Sequence, residues 1–377
     1  MSSLAAREPD LSWSRAVISW YRSHKRDLPW RDVNNAYFTW LSEVILQQTR
    51  IDQGTAYYHR FVETYPTITD LASASEQDVL RLWQGLGYYS RARALCATAR
   101  QVVTDHGGQM PLEYDLLLGL KGIGPYTAAA IASMAGGQDV VTIDGNVYRV
   151  LARCFGIYQD IAASQARGLF QAFGQQLLPA GQASDFNQGM MDLGATICTP
   201  NKPNCPACPV AVGCFARQNQ MIEALPVKNK KIKQQVRYLH YLAITTDGIG
   251  LWLRMREGKG IWHGLWELPV LETAKDMDWK ELSDVADTTM PAGQENLWSL
   301  LLPNLPVRKW VAPKHQLTHQ TILANFYVLD IAKSADIEPM SDFLTTLGYQ
   351  YLDQAALEAV PKPVLLSKFL ASVSIAS

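Results

Sequence analysis

Four cysteines within seventeen residues constrain this chain more than any other feature. Cys198, Cys205, Cys208 and Cys214 follow the spacing C-x6-C-x2-C-x5-C. Prolines at 200, 203, 206 and 209 prevent a helix there and leave a stiff wrapping loop. Four thiolates so close in sequence can surround one metal centre. Zinc sites more often use two C-x2-C knuckles. An iron–sulfur cube also takes four thiolates and tolerates uneven loops. Spacing alone barely decides between them. Cys96 and Cys154 stand alone, and six cysteines in 377 residues are too few for a disulfide scaffold.

Residues 1–225, which contain this loop, read as mostly helical. Asp10 can cap a helix carrying Leu11, Val17, Ile18 and Tyr21. A second is expected near Phe38–Gln48, and Ser75 with Asp78 starts another through Trp83. Further helices are expected over Tyr88–Val103, Ala128–Ala135, from Asp144 through Cys154, and over about 165–178 and 184–196. Residues 226–236 form a basic linker within LPVKNKKIKQQVR, which has five basic residues and no acidic one. From 237 to 377 the hydrophobic period shifts to two. Strands are expected over Val236–Thr245, Gly250–Met255 and Leu323–Leu329, in a smaller α+β domain. At roughly 150 residues per domain, the length suits two domains or three.

Lys and Arg total 34 against 35 Asp and Glu, for a net charge of -1. That excludes binding to nucleic acid or anionic membrane through bulk positive charge, but not through a few placed donors. No run of about 18 apolar residues is present, so no membrane span is expected. The N-terminus lacks a hydrophobic signal core, and the chain is expected to be intracellular.

Three local patterns can carry chemistry. In LKGIGPYT, Gly122 and Gly124 allow a tight turn, and Pro125 suits the first turn of a helix. The free N–H groups at such a helix start can hold a phosphate, although a plain helix–helix turn reads the same way. Asp144, in VTIDGNVYRV, is an N-cap aspartate. A carboxylate fixed there is expected to be ionised and able to face a developing cation. Glu43 lies among Leu41, Val44 and Ile45 on a largely apolar helix. Burial would raise its pKa and let it carry a proton near neutrality. The plainer alternative is a surface glutamate.

Together, LSEVILQQTR, LPWR at 28–31, GLGYYSRAR at 85–93, LKGIGPYT, and DFNQGMMDLGATIC running into the cysteine loop resemble the adenine DNA glycosylases of the MutY type, in the endonuclease III superfamily, over roughly 200 residues. The resemblance implies a mainly α catalytic region with a helix–hairpin–helix, followed by an α+β Nudix-like domain. It assigns a [4Fe-4S] cluster to Cys198, Cys205, Cys208 and Cys214, with Lys202 and Arg217 presented to DNA. Gly122 and Gly124 would grip a DNA phosphate, with a monovalent cation at the hairpin. Glu43 would protonate adenine at N7 and then activate water. Asp144 would stabilise the oxocarbenium ion, assisted by Tyr126 and Asn146. Relatives with lyase activity carry a lysine where this chain has Tyr126, so a monofunctional enzyme is expected. The runner-up is a pyrimidine-directed glycosylase/lyase of the same superfamily.

A target adenine must leave the base stack and enter a pocket. Arg26, Leu28, Trp30 and Arg31 are candidate walls and donors, and Gln188 can bond an adenine edge. Gln47, Gln48 and Thr49 resemble the QQT that enters the duplex, and Tyr88 the tyrosine that wedges beside the partner base. In the C-terminal domain, GIWHGLWELP resembles the Nudix-like segment, but the phosphohydrolase box is absent. The loop Leu317-Thr318-His319 stands where many relatives read 8-oxoguanine with Phe-Ser-His. Thr318 keeps a hydroxyl, whereas Leu317 loses the aromatic ring. The expected partner is double-stranded DNA containing adenine opposite 8-oxoguanine or guanine. The chain is expected to act as a monomer, with no membrane involved.

Overall fold

Short polar side chains set where the helices begin. Asp10 accepts from the Ser12 amide, and Asn35 from those of Tyr37 and Phe38. Thr67 and Asp70 satisfy each other in a capping box, Ser75 accepts from Asp78, and Asp144 from Val147. Each satisfies an amide that the first helical turn leaves without a partner. The structure is a computed structural model, describing every residue except 1–4, 7, 32, 34, 230–233, 246–248, 283–306, 332–336 and 373–377. Lys230, Lys231 and Lys233 of the expected linker lie outside the described residues.

The helices are α1 (Leu11–His24), α2 (Ala36–Leu46), α3 (Ile51–Thr64), α4 (Ile68–Ser73), α5 (Glu76–Trp83), α6 (Ser90–His106), α7 (Tyr114–Leu118), α8 (Pro125–Met134), α9 (Gly145–Phe155), α10 (Ala166–Leu177), α11 (Ala183–Asp192) and α12 (Phe215–Gln218). The helix expected to reach Gln48 stops at Leu46: Gln47 already turns out of the helix with a ψ of 112°, and Gln48 takes a φ of +57°. The helix expected from Tyr88 starts at Ser90, since Tyr88 has a φ of +49°. Such left-handed backbone cannot continue a right-handed helix. The helix expected to run to 196 ends at Asp192 and continues as a π-helical turn, Leu193–Ile197.

The first unit comprises residues 1–74 and 90–231. Its core gathers Val17 and Ile18 of α1, Val150 and Phe155 of α9, Phe170 of α10 and Phe186 of α11. Helix α1 packs on α11, and α2 packs on both α3 and α8. The α2–α8 contact brings Glu43 to Tyr126.

The second unit comprises residues 75–89 and 232–377. Its strands are β1 (Gln235–Thr245), β2 (Leu251–Met255), β3 (Trp266–Glu267), β4 (Val270–Thr273), β5 (Val307–Val311), β6 (His315–Gln316), β7 (Gln320–Asp330) and β8 (Gln350–Leu352). One sheet runs β4-β1-β7-β5, with β6 also on β7; a second runs β3-β2-β8. Strands β1 and β7 pair in parallel over eleven residues, from Gln235 opposite Gln320 to Thr245 opposite Asp330. Helices α13 (Ile337–Thr346), α14 (Gln354–Ala359) and α15 (Val364–Ser372) complete the unit.

A cut of the sequence near 225 leaves residues 75–89 with the helical region, but by contact they belong with the strands. Hydrogen bonds supply the reason. Gln77 donates to Gly264 O at 3.1 Å and accepts from Trp266 Nε1 at 3.2 Å. Gln84 donates to Ser367 Oγ and accepts from the Lys362 amide, both at 3.1 Å. Among the described residues, no helix is long and apolar enough to cross a membrane.

Candidate active site

Glu43 sits three residues before the end of α2, part-buried and facing α8. Tyr126, the second residue of α8, donates to Glu43 Oε2 at 2.6 Å and lies 3.3 Å from Met191 Sδ. Burial pushes the Glu43 carboxyl up to about 7, against the Tyr126 hydrogen bond and the Arg31 charge, which lower it; Asp144 raises it further. The Tyr126 phenol is pushed well above its ordinary value, first by burial and then by Glu43. It therefore stays protonated and acts as a donor.

Asp144 is held from two directions. Its Oδ1 accepts from the Val147 amide at 2.7 Å, and its Oδ2 from Asn146 Nδ2 at 2.9 Å. Burial raises its pKa from the ordinary value; the Val147 and Asn146 bonds and the Arg149 charge oppose the rise. Glu43, Tyr126, Asp144 and Asn146 line one groove of about 680 Å³ with Gln47, Gln48, Gly122 and Gly124. Glu43 also lines a cavity of about 320 Å³ with Trp30, Arg31 and Gln188. The carboxyl thus stands at the junction of an open groove and a side cavity.

The two arginines expected as adenine donors are largely occupied. Arg31 grips Asp192 with both Nη atoms, at 2.8 and 2.7 Å, and Arg26 Nε bonds the same carboxylate at 2.9 Å. Burial alone would raise Asp192, but Arg31 and Arg26 more than offset it and hold it below the ordinary carboxylate range. Trp30 lies edge-on to Tyr58, 5.3 Å between ring centres, and Gln188 donates to Ser184 Oγ at 3.1 Å. Leu28 O accepts the Arg31 amide, closing the turn that aims Arg31. Arg26 and Leu28 are not among the described residues that line the side cavity.

The hairpin before α8 depends on one glycine. Gly122 has a φ of +76°, and a Cβ there would lie 2.7 Å from Ala94 Cβ. Gly124 is the N-cap of α8 and Pro125 its first residue. Gly122 and Gly124 are exposed, leaving the hairpin backbone open to solvent.

Cys198, Cys205, Cys208 and Cys214 line one small cavity. Cys154, which stands alone in sequence, lines it too. Among the described residues, no three His, Cys, Asp or Glu side chains converge tightly enough to hold a single metal ion. Two arginines of α9 tie this loop down. Arg153 donates to Thr199 O at 2.8 Å, Pro200 O at 3.0 Å and Cys198 Sγ at 3.5 Å. Arg149 donates to Cys198 O and Gly194 O, both at 2.6 Å, and to Asn146 Oδ1 at 2.9 Å. One guanidinium therefore joins a loop cysteine to the asparagine that holds Asp144.

Sequence reasoning missed Arg149, Arg153 and Asp192. A signal was present for the arginines: two cations four apart on a helix otherwise rich in Val, Leu and Phe are exceptional unless paired.

In the second unit, Tyr88 is exposed and its hydroxyl hydrogen-bonds that of Thr318. The Leu317 amide donates to Gln320 O at 2.8 Å, and His319 O accepts from the Gln235 amide at 3.0 Å. Thr318 and His319 are exposed, while Leu317 is half-buried.

The model of the HhH-GPD superfamily of base excision DNA repair proteins matches residues 41–175. An adenine DNA glycosylase of Homo sapiens is 46% identical over 219 residues, covering 56% of this chain and 40% of the relative. One of Arabidopsis thaliana is 36% identical, covering 70% of this chain and 48% of the relative. The chain thus spans less than half the length of these two relatives. One of Buchnera aphidicola subsp. Baizongia pistaciae is 32% identical over 355 residues, covering 94% of this chain and 95% of the relative. The solved structure of a thermostable thymine-DNA glycosylase matches with a TM-score of 0.50 at 27% identity, over 55% of this chain and 96% of that one. This chain, with its hairpin and carboxylates and matched along nearly its whole length by such a relative, belongs to the adenine DNA glycosylase family, within the HhH-GPD superfamily of base-excision repair proteins.

Proposed function

We propose that this protein is a monofunctional adenine DNA glycosylase that hydrolyses the N-glycosidic bond of adenine mispaired with 8-oxoguanine or guanine. The observation that carries the reading is Glu43, a part-buried carboxyl raised to about 7, beside Tyr126 and sharing a groove with Asp144.

The groove receives the duplex, with the Gly122 and Gly124 hairpin on a backbone phosphate and the Gln47–Thr49 turn entering the stack. The extruded adenine occupies the side cavity between Trp30, Arg31 and Gln188. Tyr126 engages one oxygen of Glu43, and the other carries the proton. Glu43 gives that proton to the adenine ring, and the glycosidic bond breaks with its electron pair leaving on adenine. The sugar becomes oxocarbenium-like, and the Asp144 carboxylate stabilises it. Glu43, now ionised, takes a proton from the attacking water, whose oxygen bonds to C1′. The products are free adenine and an abasic site, with Glu43 protonated again. Tyr126 offers no amine for a Schiff base, so no lyase step follows.

The contact of Tyr88 with Thr318 supports partner-base reading in the second unit, whose fold we take as Nudix-like. Cys198, Cys205, Cys208 and Cys214 suit a [4Fe-4S] cluster. A zinc ion needs four sulfurs about 2.3 Å from one point, whereas a cluster gives each thiolate its own iron. The Arg153 guanidinium on Cys198 Sγ complements thiolate charge. When bound, the cluster cross-links the loop and takes no part in bond cleavage. A monovalent cation at the hairpin and a monomeric state belong to the same reading.

The test is a set of duplexes carrying adenine opposite 8-oxoguanine, guanine, cytosine or thymine, treated with alkali after incubation. Strand cleavage is expected for the first two and only after alkali. Glu43→Gln and Asp144→Asn should abolish it while leaving duplex binding; turnover retained in both variants overturns the reading.

A further inference from the structure

The end of α2 carries a device that this mechanism does not use. A helix leaves its last four carbonyls without partners inside the helix. Helix α2 has no basic residue in its last turn to serve them. Leu46 O accepts from the Thr49 amide at 3.1 Å. Three more carbonyls turn to one guanidinium from another helix. Arg91 Nη1, in the first turn of α6, donates to Val44 O at 2.7 Å, Ile45 O at 3.1 Å and Gln47 O at 2.5 Å. A cation at a helix C-terminus also meets the negative end of the helix dipole.

The Arg91 bonds hold the chain just before a strained residue. Gln48 is exposed with a φ of +57°, a region that non-glycine residues adopt only when their surroundings hold them there. Gln47 is fixed on the other side by donating to Thr127 Oγ1 at 3.3 Å. The carbonyls that Arg91 holds lead into this turn and begin one residue past Glu43.

We propose that Arg91 is the positioning residue that holds the Gln47–Thr49 turn in the shape that enters a duplex and extrudes the target base. This rests on the functional reading above. It assigns Arg91 to base extrusion, separate from the bond-breaking step.

The test compares single-turnover adenine release from two duplexes. One has the target adenine fully stacked opposite 8-oxoguanine. The other has it pre-opened, opposite an abasic site and flanked by mismatches. Arg91→Ala is expected to slow release from the stacked duplex by about tenfold or more and from the pre-opened one by less than about threefold. Arg91→Lys keeps the charge without the planar fork, so its loss on the stacked duplex should be intermediate. It carries the same comparison if the alanine variant does not fold. Equal losses on both duplexes, or no loss on either, overturn the proposal. A wild-type protein that releases adenine from neither duplex overturns the functional reading instead.

Discussion

Tyr126 donates a 2.6 Å hydrogen bond to Glu43, joining side chains 83 residues apart on two packed helices. The bond favours the ionised carboxylate, so it lowers a pKa that burial has raised to about 7. Removing the donor should let that value rise. In Tyr126→Phe the alkaline limb of the pH–rate profile is expected to move up by about one pH unit. The plateau rate should fall, because the carboxyl loses its orientation. Single-turnover rates from pH 5 to 9 check this, and a limb moving down would refute it.

The raised Glu43 value also has a cost in stability. A carboxyl that titrates near 7 when folded and near 4.5 otherwise binds more protons in the folded state between those values. Its stabilising contribution is full below about 4.5 and is lost as pH rises through 7. Glu43→Gln removes the buried charge. It is expected to be more stable than the parent at pH 8, by about 1–3 kcal/mol, with the gap closing toward pH 5. Thermal melts at the two pH values measure it.

Gly194 lies against Asn146 so closely that a Cβ would sit 2.5 Å from Asn146 Cβ. Gly194→Ala must displace the side chain that holds Asp144 Oδ2. A stability loss of about 1–3 kcal/mol is expected from overpacking, with a fall in adenine release of about tenfold or more. Duplex affinity should change far less. Unchanged release would show that Asn146 does not hold Asp144 for chemistry.

Gln77 and Gln84 fasten residues 75–89 to the rest of the second unit through hydrogen bonds to Met255, Gly264, Trp266, Lys362 and Ser367. Replacing both with alanine should raise amide hydrogen exchange over 75–89, while exchange in α9 and α11 stays as in the parent. Uniform change across the chain would mean that these bonds are not what groups the segment with the strands.

His240 is buried, with burial lowering its pKa to about 4 despite the opposing charge of Asp276. The unfolded chain binds a proton near 6.5 that the folded chain refuses, so this residue withdraws stability as pH falls from 6.5 toward 4. His240→Gln is expected to flatten that part of the stability curve, measured by urea unfolding at pH 7 and pH 5. An unaltered slope would refute it.

Much of the local structure was legible. Asp10, Ser75 and Asp144 each bond an amide within three residues, so their helix starts follow from neighbouring side chains alone. The small-residue helix after Gly124, the long strands β1 and β7, and the four cysteines around one cavity follow from pattern and spacing. The missed helix ends at Gln48 and Tyr88 lie at left-handed residues that are not glycine, where composition gives no warning.

The amino-acid sequence by itself determined the helical and sheet-forming halves, the placing of Asp144 on a helix start, and the gathering of the cysteine loop, because each depends on residues a few positions apart. Tertiary structure alone decided which groups meet across long stretches of chain. Packing of α2 on α8 made Glu43 and Tyr126 partners. Arg26 and Arg31 came to Asp192, more than 160 residues away. Arg149 came to Cys198 of the cysteine loop, and residues 75–89 joined the strands. No local period records such pairings. Long-range packing forms them, and the low-polarity surroundings make each one matter for proton affinity and position.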